Sequence, residues 1–567
     1  MKKNVVKQVM ALVLSLTMLV GCGGDMLTGE TERGNTVSEG YDDGWDVEAS
    51  PCGVEDAYYD VEASPCEVED VYYDVEAEVC SVQNTQEYYA PAEDVTPEYN
   101  TEEYNAIDEN GFYDVAMSPV STFSADVDTA SYANVRRMIN DGYALEQIPD
   151  GAVRTEEMVN YFSYNYRAPE EGELFGVTST ISACPWNEES QLLVLGLQTE
   201  EMGLFDTPDA NVVFLIDVSG SMSDSDKLPL LQDAFEVLVE NLGEDDRVSI
   251  VTYASSNDVV LEGVPGNERR TIMNAIDGLT SYGATNGGEG ILTAYALAEE
   301  YFIEGGNNRV IIATDGDLNV GITSQSDLQD LIEEKRESGI YLSVLGFGTG
   351  NYNDAGMETL ADCGNGNYSY IDCLAEAEKV LSEEFTSTMV TVAEDVKLQI
   401  EFNPAMVSGY RLVGYENRML ATEDFEDDTR DAGEVGAGHS VTVIYEIIPA
   451  EEGESADADL RYQESNLSAE ALESGEWMML SVRYKEPGEE ESQEVNYYIG
   501  EESYTETPSE DFIFAAAVAE FSLLMKESEY AGNGSFEHIL ECLEEVNMRD
   551  EYREEFVSLV EIMQTRG

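Results

Sequence analysis

The sequence is poor in basic residues and in histidine. Its 567 residues hold 27 Lys and Arg against 118 Asp and Glu, which gives a formal net charge of -91, and the two histidines are His439 and His538. A charge of this sign repels phosphate backbones, so a nucleic-acid partner is not expected. Neither histidine belongs to an HExxH motif, which argues against a zinc protease, and no GxxxxGK[ST] loop for ATP is present.

Long apolar runs are also scarce, and the clearest one lies near the N-terminus. Three lysines precede the apolar stretch 10–20, which is too short to span a membrane comfortably and is typical of a signal peptide. The sequence "LVGC" that ends at Cys22 resembles a bacterial lipobox, which implies removal of residues 1–21 and acylation of Cys22. A plain signal peptide beside an incidental cysteine is the alternative. We therefore expect a lipid-anchored protein on the extracytoplasmic face of the cell membrane.

Residues 22–110 are acidic and lack a sustained apolar period. "DVEASPC" occurs at 46–52 and at 60–66, and "DVEAEVC" at 74–80, so that a 14-residue repeat places three cysteines in register. Three short units do not build a repeat-protein core. This composition favours a disordered tether. Crosslinking or metal binding by the cysteines stays open.

The remaining chain divides by pattern into four segments. Residues 111–205 form an N-terminal flanking segment, and residues 206–389 alternate between apolar strands and amphipathic helices. Residues 390–505 are β-rich and consistent with a sandwich, and residues 506–567 are helical. The alternating segment predicts an α/β fold with a doubly wound, mostly parallel sheet, whose ligand site lies beyond the carboxyl ends of the strands.

Small oxygen-bearing side chains follow the predicted strands of this sheet. The run "VVFLI" is followed by Asp217, Ser219 and Ser221 at every second position, and two later loops carry Thr285 and Asp315. Five hard oxygen donors from three loops at one edge of a sheet predict a site for Mg²⁺, Mn²⁺ or Ca²⁺. The absence of histidine and thiolate among them disfavours zinc. Two carboxylates and three hydroxyls leave the cation open to an acidic group from outside.

These residues resemble the metal-ion-dependent adhesion site of the von Willebrand factor type A domain. The Asp-x-Ser-x-Ser motif, the distant Thr and the later Asp of that family correspond to the five donors named above. The resemblance implies that the serines and the threonine contact the metal directly, while the aspartates often act through water. Segments such as "VRTEEMVNYFSYNY" and "FNPAMVSGYRLVGYENR" are also similar to a group of bacterial envelope lipoproteins with a conserved N-terminal segment and a C-terminal domain of unknown function.

Two other metal chemistries fit the motif less well. A phosphatase of the haloacid dehalogenase type needs a second Asp as its proton donor, where this chain has Ser219. A calcium-binding EF-hand loop that began at Asp315 would need Gly and Glu, where Val320 and Ser326 stand. We therefore do not predict an enzyme.

A pair of cysteines lies close together near the end of the α/β segment. Cys363 and Cys373 flank the last predicted strand of the sheet, and export would allow a disulfide between them. Two separate thiols are the alternative interpretation.

The leading hypothesis is a membrane-anchored protein that binds a partner protein. The partner would donate an Asp or Glu carboxylate to the bound divalent cation. The alternative is a structural envelope scaffold in which the cation only stabilises loops.

Overall fold

The computed structural model describes residues 102–203, 207–283, 290–316, 325–350, 352–450, 468, 473–489 and 491–566. All of them belong to a single unit, Ala77–Gly567. The predicted signal peptide, Cys22 and residues 23–101 of the predicted tether lie outside the described residues. Residues 102–110 of the predicted tether belong to the folded unit, since Glu102 pairs with Arg137 at 3.1 Å and Tyr104 packs against its hydrophobic clusters. Among the described helices, none combines the length and the apolar composition that a membrane crossing requires.

The N-terminal flanking segment contributes four strands and two helices. The strands are β1 (Tyr113–Asp114), β2 (Val120–Ser124), β3 (Phe175–Ala183) and β4 (Gln191–Thr199), and the helices are α1 (Ala130–Asn140) and α2 (Thr155–Asn160). The sequence predicts that the second helix continues to residue 166, which is wrong. The chain leaves the helix after Asn160, and the side chains of Tyr161, Phe162 and Tyr164 pack in one hydrophobic cluster with the C-terminal helices, a contact that the local pattern does not show.

The α/β segment contributes six strands. They are β5 (Ala210–Asp217), β6 (Arg247–Tyr253), β7 (Asn257–Pro265), β8 (Asn307–Thr314), β9 (Ile340–Phe347) and β10 (Tyr368–Ile371), in the spatial order β10-β9-β8-β5-β6-β7. Every pairing is parallel except that of β7 with β6. Every residue of β5 and of β8 is buried, which explains the apolar runs 212–216 and 310–313 at their centres.

Helices cover both faces of this sheet. They are α3 (Leu228–Glu240), α4 (Arg269–Asp277), α5 (Gly290–Glu300), α6 (Gln325–Glu337), α7 (Asp354–Cys363), α8 (Leu374–Glu378) and α9 (Phe385–Met389). Two separate hydrophobic clusters fill the space above and below the strands: Phe214 belongs to one, whereas its neighbours Val213 and Leu215 belong to the other. The prediction of a doubly wound, mostly parallel sheet is confirmed.

The described residues of the C-terminal part form six strands and three helices. They are β11 (Thr391–Phe402), β12 (Val407–Val413), β13 (Gly433–Gly436), β14 (Ser440–Pro449), β15 (Glu476–Lys485), β16 (Gln493–Gly500), α10 (Glu510–Met525), α11 (Phe536–Leu543) and α12 (Glu551–Arg566). The strands enter two antiparallel sheets, β1-β12-β14-β4-β3 and β13-β11-β15-β16, and β2 joins the second sheet beside β11.

The two antiparallel sheets form one sandwich, built from both sides of the α/β segment. Leu195 of β4 lies opposite Val443 of β14, and Thr122 of β2 lies opposite Gln399 of β11. The inner faces of both sheets share a single hydrophobic cluster. The α/β domain is therefore an insertion into a sandwich, and both ends of the insertion continue into it.

Buried arginines join the α/β domain to its surroundings. Arg136 of α1 is 2% exposed and contacts Asp372 and Glu376 after β10 as well as Glu555 of α12. Arg154 and Arg418 make similar bridges to carboxylates of α7. Each of these charges is removed from water, so each depends on its partners for compensation.

The structure does not form the disulfide considered between Cys363 and Cys373, since both are free thiols. Cys363 ends α7, and the next residue, Gly364, packs on Leu342 near the beginning of β9. Strand β10 then runs parallel to β9 and pairs Ile371 with Phe347, at the other end of that strand. The two cysteines therefore lie at opposite ends of β10.

Candidate metal centre

The candidate centre begins where β5 ends. Asp217 is the last residue of that strand and is fully buried, and its Oδ1 accepts a hydrogen bond of 2.7 Å from the backbone N–H of Ser219. This bond turns the chain immediately after the strand, as Asp side chains commonly do. The short 3-10 helix Gly220–Ser223 follows, and buried Met222 anchors it in the core. The strand end and the short helix thus form a tight loop in which Asp217 and Ser219 are both buried.

The two serines of this loop are brought together. Ser219 is 1% exposed, and its Oγ lies 2.8 Å from the Oγ of Ser221. A pair of hydroxyls at this distance can serve as two neighbouring ligands of one hard cation. The predicted convergence of Ser219 and Ser221 is therefore present in the structure.

The described chain before Thr285 reaches the serine loop from the side of β6, where Gly283 lies against Ser255. Thr285 itself lies outside the described residues, but the chain just before it is fixed by two backbone hydrogen bonds. The N–H of Gly220 donates to the carbonyl of Gly283 at 3.1 Å, and the N–H of Tyr282 donates to the carbonyl of Val218 at 2.8 Å. The described chain therefore stops two residues before Thr285, beside the serine loop.

Asp315 approaches from the other side, immediately after β8. It is fully buried, and β8 is the direct neighbour of β5, with Ile216 opposite Ala313. After β5 the chain continues to β6 on one side and later to β8 on the other, so the crevice between β5 and β8 is the switch point of the sheet. Ligands of open α/β sheets bind at this position.

Lys227 is a member of the centre that sequence reasoning missed. Its Nζ lies 2.9 Å from Oδ2 of Asp315, and its side chain is 4% exposed. The aliphatic part of Lys227 passes over Gly348. A Cβ at position 348 would lie 2.3 Å from the Lys227 side chain, and the backbone there has a φ of +71°. The sequence feature that could have pointed to Lys227 was its position as a lysine within an acidic loop, immediately before a helix.

The donor set fits a hard divalent cation. The described members are two buried carboxylates and two adjacent hydroxyls, and none is a nitrogen or sulfur ligand. Such donors suit Mg²⁺, Mn²⁺ or Ca²⁺ better than zinc. With a divalent cation, Asp217, Asp315 and Lys227 would leave the centre with a net charge of about +1, which would attract a carboxylate.

A second group of acidic side chains is explained without a metal. Asp395, Asp431 and Glu434 place oxygens within 4.8 Å of one another. Lys485 lies 2.5 Å from Asp395, and Arg336 of the α/β domain lies 2.6 Å from Asp431. Burial raises the pKa of Asp431 to about 6, although Arg336 opposes the shift. These residues form an ionic contact between the sandwich and α6.

Three family models match the chain. "von Willebrand factor type A domain" covers residues 211–383, "von Willebrand factor" covers residues 98–194, and "Uncharacterized protein YfbK, C-terminal" covers residues 387–565. The first confirms the fold that the sequence predicts for the α/β domain. The third covers all six C-terminal strands and, except for the last residue of α12, the three C-terminal helices that the structure describes.

Similar proteins are found among bacterial and animal chains. "Uncharacterized protein YfbK" of Escherichia coli strain K12 is 42% identical over 472 residues, which are 82% of this chain and 81% of that protein. A von Willebrand factor type A protein from Catenulispora acidiphila has 16% identity and a TM-score of 0.39 over 70% of this chain and 91% of its own. Proximal thread matrix protein 1 of the mussel byssus, solved with a zinc occupied MIDAS motif, has 20% identity and a TM-score of 0.27 over 31% of this chain and 45% of its own.

Proposed function

The chain belongs to the YfbK family and contains a von Willebrand factor type A domain, and from this premise we propose that it binds a partner protein through a divalent cation. Asp217, Ser219, Ser221, Thr285 and Asp315 would hold the cation. When bound, the cation supplies a coordination position for a carboxylate of the partner. The proposal assigns no catalytic step to this centre.

The observation that carries the proposal is the arrangement at the switch point. The hydroxyls of Ser219 and Ser221 lie 2.8 Å apart, and Asp217 and Asp315 end the neighbouring strands on either side of the crevice. Asp217 and Asp315 are more than 90 positions apart in the chain, and the pairing of β5 with β8 brings them together. An arrangement of hard oxygen donors that converge at one position supports capture of a cation and of a ligand carboxylate.

The protein would act at the cell envelope, held there by an acylated Cys22. The support for this part of the proposal is the N-terminal sequence: a basic start, a short apolar stretch and the "LVGC" motif. The acidic repeats would then separate the folded domains from the membrane surface.

The test is capture of a partner from envelope extract by the immobilised full chain. Capture should require Mg²⁺ or Mn²⁺ and should stop in EDTA. Asp217→Asn removes one carboxylate charge but keeps an oxygen that accepts from the N–H of Ser219. We expect this variant to lose capture and to bind Mn²⁺ at least about tenfold more weakly, by calorimetry, since it lacks one anionic donor.

Ser223→Ala is the matched control, because Ser223 lies in the same short helix but is exposed. It should capture and bind Mn²⁺ like the parent, and far-UV circular dichroism should be unchanged in both variants. Capture that survives both Asp217→Asn and EDTA would contradict the proposal. The structural scaffold, in which the cation only stabilises loops, would then be the better explanation.

A further inference from the structure

A thiol and an imidazole lie one helical turn apart on α11. His538 and Cys542 have the i, i+4 spacing that places two side chains on one helix face. Cys542 Sγ lies 3.5 Å from His538 Nε2. The side chain of His538 is 32% exposed, so that solvent and solutes reach the pair.

A buried carboxylate fixes the imidazole from its other side. His538 Nδ1 lies 2.9 and 3.0 Å from the two oxygens of Glu520, whose side chain is 1% exposed. The N–H of Ser535 also donates to Glu520, and the Oγ of Ser535 accepts from the N–H of His538. With Nδ1–H donating to Glu520, the lone pair of Nε2 faces Cys542.

These distances are those of a metal half-site. Zinc–nitrogen bonds of about 2.0–2.1 Å and zinc–sulfur bonds of about 2.3 Å at a tetrahedral angle separate N and S by about 3.5 Å. A histidine that ligates a metal almost always donates its second ring N–H to a carboxylate, a backbone carbonyl or water, which fixes its orientation. Both features are present before any metal is bound.

We propose that Cys542 and His538 bind a zinc ion, with Glu520 as the residue that positions His538. Binding forms one S–Zn and one N–Zn bond, and the Cys542 thiol releases its proton to solvent. The two remaining positions are open to water or to a donor from another molecule. The site is separate from the centre at Asp217, and its soft ligands select a different class of cation.

The same three residue types could also form a thiol nucleophile with its base. A nucleophilic cysteine needs a lowered pKa, whereas burial raises the pKa of Cys542, and the neighbouring carboxylates of Glu520 and Glu541 act in the same direction. A thiol in these surroundings becomes a thiolate readily only when a cation compensates its charge. The metal is therefore the better explanation of the geometry.

Cobalt titration of the full chain tests the proposal. Cys52, Cys66 and Cys80 are first changed to Ser to remove competing thiols, and saturating Mg²⁺ occupies the oxygen site. Co²⁺ should then produce a sulfur-to-cobalt charge-transfer band and the visible bands of tetrahedral cobalt, and Zn²⁺ should abolish both by displacement.

Three variants decide the roles. Cys542→Ser should remove the charge-transfer band, His538→Ala should weaken cobalt binding strongly, and Glu520→Gln should keep the band but lower affinity about 10- to 100-fold. Cys363→Ser is the control, since it removes a thiol from a different part of the fold.

The proposal is overturned if the parent shows no charge-transfer band, or if Cys542→Ser or His538→Ala leaves it unchanged. Circular dichroism checks that each variant keeps its fold. Because the readout is sulfur coordination, a failure of the Mg²⁺ or Mn²⁺ site at Asp217 would not affect this result.

Discussion

Lys227 Nζ lies 2.9 Å from Asp315 Oδ2, and neither side chain is more than 4% exposed. An ammonium group thus stands beside one of the carboxylates that would hold the cation. It offsets the charge of Asp315 when no metal is bound, and a divalent cation at the centre would compensate the same carboxylate. The pair therefore links the stability of the domain to its metal content.

Replacing Lys227 should make the fold depend on metal. Lys227→Met leaves Asp315 buried without its ammonium partner, a change that costs about 3–5 kcal/mol in comparable buried pairs. In urea unfolding with EDTA we expect a loss of this order. Saturating Mg²⁺ should reduce the loss, since the cation compensates the same carboxylate. Lys335→Met, at a pair with half-exposed Glu299, should lose less than about 1 kcal/mol. An equal loss with and without Mg²⁺ would count against the link.

Arg136 should be among the most sensitive positions at the edge of the α/β domain. Arg136→Met deprives Asp372, Glu376 and Glu555 of their common guanidinium partner, and we expect thermal unfolding to show a loss of about 3–5 kcal/mol. The control is Arg430→Met, because Arg430 is 59% exposed and its pair with Asp424 is on the surface. Similar effects of the two substitutions would show that burial does not decide the cost.

The contribution of Glu156 to the stability of the fold should fall as the pH rises. Burial first, then the nearby charge of Glu416, raises the pKa of Glu156 from 4.5 to about 7. Folding favours the protonated form of Glu156. The stabilisation that results is fully present below pH 4.5 and is lost as the pH rises through 7. Glu156→Gln keeps an acceptor for the N–H of Tyr415. It should gain about 3 kcal/mol over the parent at pH 8 but about 1 kcal/mol at pH 5.

The matched control for this measurement is Glu170→Gln, because the side chain of Glu170 is 82% exposed. The control should follow the parent at both pH values in urea titrations. A gain of Glu156→Gln that is the same at pH 5 and pH 8 would exclude ionisation as its cause.

Cys22 should decide where the protein resides. Cys22→Ala removes the proposed acylation site, so the protein should leave the membrane fraction or accumulate as an uncleaved precursor. Fractionation and mass spectrometry of the N-terminus measure this. A variant that is processed and fractionates like the parent would refute lipid anchoring. Limited proteolysis adds a second measurement, since residues 23–101 should be removed before the domains, whereas Glu102 and Tyr104 contact Arg137 of the folded part.

The central strands were predictable because burial on both faces of a sheet produces an apolar run in the sequence. The run 212–216 is apolar throughout, and it ends at the Asp217 turn as the motif requires. The serine pair and its relation to Asp315 followed from the topology of a parallel sheet. These features depend on local pattern and on one general rule.

Other features depend on contacts between distant residues, which no local pattern records. The end of α2 at Asn160 reflects aromatic packing against the C-terminal helices. The separation of Cys363 from Cys373 follows from the direction of β10. The approach of Lys227 to Asp315 spans 88 positions, and only the folded sheet reveals it.

The insertion of the α/β domain into the sandwich also constrains the order of events during synthesis. Strand β4 ends at Thr199, and its partner β14 begins at Ser440. As the chain leaves the ribosome, the inserted domain is complete roughly 50 residues before β14 appears. Until β14 is synthesised, one edge of β4 stays unpaired, and unpaired strand edges are open to non-native association. Slow closure is expected, because contacts this distant in sequence delay folding. A chain interrupted between 389 and 440 would therefore carry a complete α/β domain beside an aggregation-prone half-sandwich.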